Sequence, residues 1–189
     1  MHDDADAPEL EAGKPGRSRG ASPPPALVAV VGRTNSGKTT FIEQLLPELL
    51  ALGLRVGAVK HDAHRFEIDH EGKDSWRLGR AGALAYAISS ADKLAYVARL
   101  DRELTLPEIV ERFFDGFDLV VAEGYKRSAP NVIEVFRVAA GYEAPVLAPG
   151  DCFALVTDAS IEHPRRFGLG DARGVAALIA ANLEALRRY

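Results

Sequence analysis

The sequence predicts an α/β fold, a mostly parallel sheet with helices on both faces and a P-loop at the end of its first strand. Three observations carry this prediction. From Ala26 onward short β-branched runs alternate with helical stretches, the pattern of strands joined by crossover helices. The first run, "LVAVV", breaks into Gly32-Arg33-Thr34-Asn35-Ser36-Gly37-Lys38-Thr39, which fits G-x-x-x-x-G-K-[ST] with a strand before it and a helix after it, the context of a P-loop NTPase-type fold. With 189 residues, 47% of them hydrophobic, the chain suffices for one domain with a sizeable core.

Residues 1–25 combine Asp, Glu, Gly, Ser, Arg and a "PPP" run with hardly any large apolar side chain, so they cannot offset the entropy of ordering and read as a disordered tail. The nucleotide-binding domain is expected over residues 26–189. After the first strand, Phe41, Ile42, Leu45, Leu46, Leu49 and Leu50 recur at helical spacing, so Thr39 to Leu52 forms a helix that Gly53 stops. Pro47 falls inside it. An interior proline costs about 3 kcal/mol, so a kink or an early end is expected there.

"RVGAVK" is a second strand, and the polar "HDAHRFEIDHEG" after it is a long loop. "KDSWRLGRAGA" is a short helix. "LAYAISS" and "KLAYVAR" are strands joined by the turn-like "ADK", and "LPEIVERFF" is a helix with Pro107 in its first turn. "FDLVVAEGYK", "VIEVFRV" and "FALVT" are three further strands. "ARGVAALIAANLEALRRY" closes the chain as an amphipathic helix.

Composition excludes several classes. A formal net charge of -4 leaves no electrostatic footprint for a nucleic-acid backbone. The single cysteine, Cys152, excludes an intrachain disulfide and a multi-cysteine zinc site, and fits a reducing compartment. The start, "MHDDADAPEL", lacks the layout of a secretory signal, and no apolar run approaches the ~20 residues of a membrane-spanning helix. A cytoplasmic protein without a membrane or nucleic-acid partner is expected.

The P-loop motif points to a nucleoside triphosphate. Gly32 and Gly37 let the backbone curl so that N–H groups along Asn35, Ser36 and Gly37 face a polyphosphate, and the helix adds its positive N-terminal dipole. Lys38 is expected to bridge the β- and γ-phosphates, Thr39 to ligate Mg²⁺ through its hydroxyl, and Thr40 to reach the α-phosphate. Such a site also needs a carboxylate at the carboxyl end of a neighbouring strand. Asp118 and Glu123 both sit on "DLVVAE", ~16 Å apart at ~3.3 Å per residue, and ligands bind at the carboxyl ends of strands in such sheets, so Glu123 is the candidate.

The same geometry selects Lys60, His61 and Asp62 at the end of the second strand. Asp62 is placed to contact a metal-bound water, so Lys38, Asp62 and Glu123 are the catalytic candidates, and Thr39, Asp62 and Glu123 the metal ligands. Three readings of the loop after Asp62 stand side by side: a switch over the γ-phosphate, a transition-metal site built from His61, His64, His70, Asp62 and Asp69, and a solvated polar loop. The guanine-reading Asn-Lys-x-Asp is absent. The nearest substitute is Asp158 in "TDAS", which also reads as a turn former. Arg77 and Arg80 share a helix face with Asp74, a salt-bridged surface or an anion site.

Three stretches, "GRTNSGKTT", "KHDAHRFEIDHEGKDSWRLGRAGA" and "DLVVAEGYKRSAPNVIEVFR", resemble the molybdopterin-guanine dinucleotide biosynthesis protein B family, over about Leu27 to Leu186. The middle stretch is the most specific, because generic P-loop proteins lack it. The resemblance implies a P-loop fold, GTP with magnesium, slow hydrolysis and a homodimer. It also implies assistance to a molybdopterin guanylyltransferase, the enzyme that joins GMP to the molybdopterin cofactor. It supports Gly37, Lys38, Thr39 and Thr40 as nucleotide ligands and Asp62 and Glu123 as magnesium carboxylates, and it marks His61, His64 and Lys126 as facing the site. The preference for GTP over ATP rests on the resemblance alone. Competing functions are an adaptor without meaningful catalysis and a small-molecule kinase. Against the kinase, Arg77, Arg80, Lys126 and Arg127 are dispersed over two segments and make no Arg-rich lid.

Overall fold

A computed structural model describes residues 23–62, 66–126 and 129–189. The tail expected over residues 1–25 therefore lies, as far as residue 22, outside the described residues. The described residues fall into two compact units, 66–103 in one and the remainder in the other.

The larger unit is built on a six-stranded sheet in which every pairing is parallel. Its strands are β1 (Ala26–Val31), β2 (Val56–Lys60), β5 (Leu119–Glu123), β6 (Val132–Phe136), β7 (Ala154–Thr157) and β8 (Arg166–Phe167), in the spatial order β2-β5-β1-β6-β7-β8. β1 is buried along its whole length because both of its faces are covered. Ala26, Val28 and Val30 pack with helices α1 (Lys38–Ala51) and α4 (Ala172–Ala181). Leu27, Ala29 and Val31 pack with Leu106 and Val110 of helix α3 (Leu106–Phe113). This period-two partition places helices on both faces. From β1 the chain goes to one side, to β2 and β5, and then returns past β1 to β6. β1 is thus the switch point at which such sheets open a crevice outside their carboxyl ends.

Helix α1 buries Phe41, Ile42, Leu45 and Leu49, each fully buried leucine stabilising by about 1.5–3 kcal/mol. It runs through Pro47 to Ala51 and does not end early. Pro47 and Glu43, whose carbonyl loses its intrahelical donor, are both exposed, so the missing bond falls on the solvent side of the helix, where it costs least. Gly53, at φ 78°, then turns the chain, and its N–H donates to Leu50 O at 2.9 Å.

Helix α3 begins with a capping box. The Thr105 hydroxyl accepts from Glu108 N at 3.4 Å, the Glu108 carboxylate accepts from Thr105 N at 2.8 Å, and Pro107 occupies the first turn. Thr105→Ala is expected to cost about 1 kcal/mol. The check is a lower urea midpoint with an unchanged slope of the unfolding transition.

Helix α4 corrects the expectation of one closing helix from Ala172 to Tyr189, because it stops at Ala181. Asn182 leaves the helical region, its amide Nδ2 donates to Leu178 O at 2.8 Å, and a short 3-10 turn follows at Ala185–Arg187. That turn buries Leu186 in the cluster around α1 and α4.

The smaller unit holds helix α2 (Asp74–Arg80) and a separate antiparallel hairpin, β3 (Ala85–Ser89) with β4 (Leu94–Ala98). Its turn is tied by Ser90 N donating to Lys93 O at 2.8 Å. Asp74 and Arg77 form an exposed ion pair at 3.4 Å, the salt-bridged surface of the two readings, and such pairs contribute little. Among the described residues no helix is long and apolar enough to cross a membrane.

Candidate functional site

The loop between β1 and α1 curls because three of its residues take positive φ: Gly32 (151°), Asn35 (60°) and Gly37 (90°). At Gly32 the backbone approaches β6 so closely that a Cβ there would lie 2.3 Å from Val135 O and 2.6 Å from Ser36 Oγ. Only glycine fits. Ser36 N donates to Arg33 O at 3.2 Å and closes the turn. The Ser36 hydroxyl is buried and, among the described residues, has no hydrogen-bond partner. Gly37 caps α1 without a side-chain hydrogen bond, and the first turn carries Lys38, Thr39 and Thr40 with no acid. A helix N-terminus without acids and a lysine thus stand together at the end of β1, an arrangement whose chemistry suits an anion.

Lys38 is half-buried, and its Nζ donates to Arg33 O at 2.8 Å. Burial lowers its pKa. Glu123 opposes that shift, while Lys126 and Lys60 add to it. The Thr39 hydroxyl lies 3.1 and 3.0 Å from the two carboxylate oxygens of Glu123, across 84 residues of sequence. Glu123 ends β5 in register with Val30 of β1 and Lys60 of β2, so the strand directions bring it to the P-loop. Asp118 lies at the opposite end of β5, where its carboxylate accepts from Arg55 N at 2.8 Å. A hydroxyl and a carboxylate side by side are hard oxygen donors of the kind that suits Mg²⁺.

His61 continues the ladder beyond β2, its N–H donating to Glu123 O at 2.9 Å, and its ring lies 4.8 Å from that of Tyr125. Gly124 (φ 101°) and Tyr125 (φ 58°) turn the chain sharply after β5, and a Cβ on Gly124 would stand 3.1 Å from His61 Cβ. Lys126 follows this turn and acts on Lys38 through its charge. Asp62 is exposed at the same rim. His64 lies outside the described residues. Asp69 and His70 belong to the smaller unit, and among the described residues no three His, Cys, Asp or Glu side chains converge as a metal site.

Asp158 leaves β7 at the same end of the sheet, and its Oδ1 accepts from Val138 N at 2.8 Å. It therefore anchors the turn after β6, as a turn former does. That segment carries Tyr142, whose ring lies 4.9 Å from the Arg33 guanidinium of the P-loop. Sequence reasoning missed both the Arg33–Tyr142 contact and buried Glu134, whose carboxylate accepts from Val146 N and, at 2.9 Å, from Leu147 N. Tyr142 sits in irregular sequence with no periodicity. Glu134 could have been found as the one charged residue inside an apolar run, "VIEVF".

Comparison with known proteins matches residues 27–158, more than half of the chain, to the family described as Molybdopterin guanine dinucleotide synthesis protein B. The molybdopterin-guanine dinucleotide biosynthesis adapter protein of Haemophilus influenzae is 36% identical over 102 residues, 53% of this chain and 57% of that protein. The adapter protein of the same description from Escherichia coli is 34% identical over 119 residues, 61% of this chain and 68% of that one. The match thus spans little more than half the length of the first relative and about two thirds of the second. Among solved structures, a crystal structure of molybdopterin-guanine biosynthesis protein B superposes with a TM-score of 0.64 at 29% identity, covering 82% of this chain and 98% of that one. That of Bacillus subtilis MobB superposes with 0.63 at 28% identity, covering 82% and 96%.

Proposed function

The chain belongs to the molybdopterin-guanine dinucleotide synthesis protein B family, and from that premise we propose that it is an adapter of molybdopterin-guanine dinucleotide biosynthesis whose P-loop binds GTP with Mg²⁺. It hydrolyses GTP slowly and assists, as a cytoplasmic homodimer, the guanylyltransferase that attaches GMP to molybdopterin. The observation that carries the nucleotide reading is the approach of Thr39 to Glu123 beside Lys38, at a helix N-terminus free of acids.

In this reading the loop amides and Lys38 hold the phosphates, and Thr39 and Glu123 hold the metal side of the site. Asp62 orients the attacking water from the end of β2. Magnesium, when bound, supplies neutralisation of charge at the phosphate oxygens. The Ser36 hydroxyl, buried and without a hydrogen-bond partner among the described residues, supports the same reading.

Calorimetry with GTP and ATP, with and without magnesium, tests the ligand, and stimulation of turnover by the transferase tests the adapter role. Glu123→Gln keeps the size of the side chain and removes its charge. This variant should retain nucleotide while magnesium-dependent hydrolysis falls about tenfold or more, the scale at which groups that support a metal act. Hydrolysis and magnesium dependence equal to the parent's would take Glu123 out of the metal site.

A further inference from the structure

The P-loop touches the chain that follows β6 at two adjacent residues. The Gly32 backbone passes so close to Val135 O that no Cβ fits between them, and the exposed Arg33 guanidinium lies 4.9 Å from the centre of the Tyr142 ring. Arg33 fills an unspecified position of G-x-x-x-x-G-K-[ST], so the motif itself does not demand a cation there.

Residues 138–147 form a strap fastened at both ends. At its start Asp158 Oδ1 accepts from Val138 N at 2.8 Å, and at its finish the buried Glu134 carboxylate accepts from Val146 N and, at 2.9 Å, from Leu147 N. Between these fastenings a 3-10 turn, Val138–Ala140, is closed by Ala140 N donating to Arg137 O at 3.1 Å and Gly141 N donating to Val138 O at 3.0 Å. Residues 141–144 are exposed, so the ring contact with Arg33 ties the open middle of the strap to the P-loop.

The carbonyl of the same Arg33 accepts from Lys38 Nζ at 2.8 Å. Arg33 thus holds two contacts, and a phosphate bears on both. A phosphate that takes the Lys38 ammonium lies against the Arg33 backbone, within reach of its own long side chain. A guanidinium over an exposed ring is held weakly, whereas on a phosphate it makes charge-assisted, often bidentate hydrogen bonds that are stronger. The phosphate wins that competition.

We propose that Arg33 is a further phosphate-binding residue that works as a latch: its guanidinium leaves the Tyr142 ring for the terminal phosphate of a bound triphosphate, and the strap is released as it does so. The latch rests on the nucleotide reading and deepens it, because the strap then reports the presence of the terminal phosphate.

The test uses the full-length protein alone, with GDP and magnesium, and with a non-hydrolysable GTP analogue and magnesium. Exchange of the Val138, Ala140 and Gly141 amides, each hydrogen-bonded in the strap, is read residue by residue by NMR, and nucleotide affinity by calorimetry. The analogue should speed exchange at these amides about fivefold or more, and GDP should not. Arg33→Gln should bind the analogue about tenfold more weakly and GDP within about twofold of the parent. Tyr142→Leu should exchange fast without nucleotide and bind the analogue about two- to fivefold more tightly, because the competing contact is gone. Tyr142→Phe, which keeps the ring, should restore both parent values. A contact that merely packs the loop predicts weaker or unchanged binding in Tyr142→Leu, and that result would overturn the latch. So would parent-like affinity for the analogue in Arg33→Gln, or strap exchange that ignores the analogue. A parent protein that binds neither nucleotide would end the nucleotide reading and the latch with it, whereas a parent that binds the analogue and gives any of the overturning results loses the latch alone.

Discussion

Lys38→Ala is expected to abolish measurable triphosphate binding while leaving the protein folded. A hydrogen bond to a charged group contributes about 1.5–3 kcal/mol, and a lysine that spans two phosphates makes more than one. The expected loss is therefore more than about a hundredfold in Kd. Folding is spared because the ammonium's hydrogen bond goes to the carbonyl of Arg33 in an exposed part of the loop, and because burial works against the charge, with Glu123 favouring it and Lys126 and Lys60 opposing it. The stability change should stay within about 1 kcal/mol. Calorimetry with GTP and magnesium, paired with circular dichroism, is the measurement. Unchanged binding together with a native spectrum would remove the P-loop as the triphosphate site.

Gly32→Ala should produce the largest loss of stability of any single methyl group added in the loop. The new Cβ would stand 2.3 Å from Val135 O, a backbone atom of β6 held in the sheet by pairing with β7, so the obstacle cannot rotate away. The residue also sits at φ 151°, which side chains rarely adopt, a strain of about 1–3 kcal/mol. Together these effects should cost about 3 kcal/mol or more, roughly 6–12 °C in Tm for a chain of this length, and nucleotide binding should fall with them. Gly37→Ala is the control. It has a positive φ but nothing within 4 Å of the added carbon, so it should lose only about 1 kcal/mol. Equal melting temperatures for the two variants would mean that the loop does not pack on β6.

The local code of the sequence was enough for several features, because each depends on residues a few positions apart. The six buried residues of β1 and the helical spacing of Phe41, Ile42, Leu45 and Leu49 specify a strand and a helix by periodicity alone. The glycines and lysine between them specify the loop, and Pro107 with Thr105 and Glu108 specifies the start of α3. Even the placing of Glu123, and not Asp118, at the P-loop end of β5 needed only the direction of one strand.

Other features were decided by contacts between residues far apart in the chain. Thr39 and Glu123 meet across 84 residues because β5 inserts beside β1, an order that reflects which apolar faces bury together and that no local pattern encodes. Asp158 looks the same in sequence whether it reads a base or anchors a turn. Its hydrogen bond to Val138 N exists only because β6 and β7 are neighbours. The last turn of the chain leaves the helical path at Asn182, and Leu186 is then buried in the α1–α4 cluster. Lys60 gains its place beside Glu123 through the register of two strands, a property of the assembled sheet, because pairing is set by burial summed over the whole core rather than by the residues on either strand.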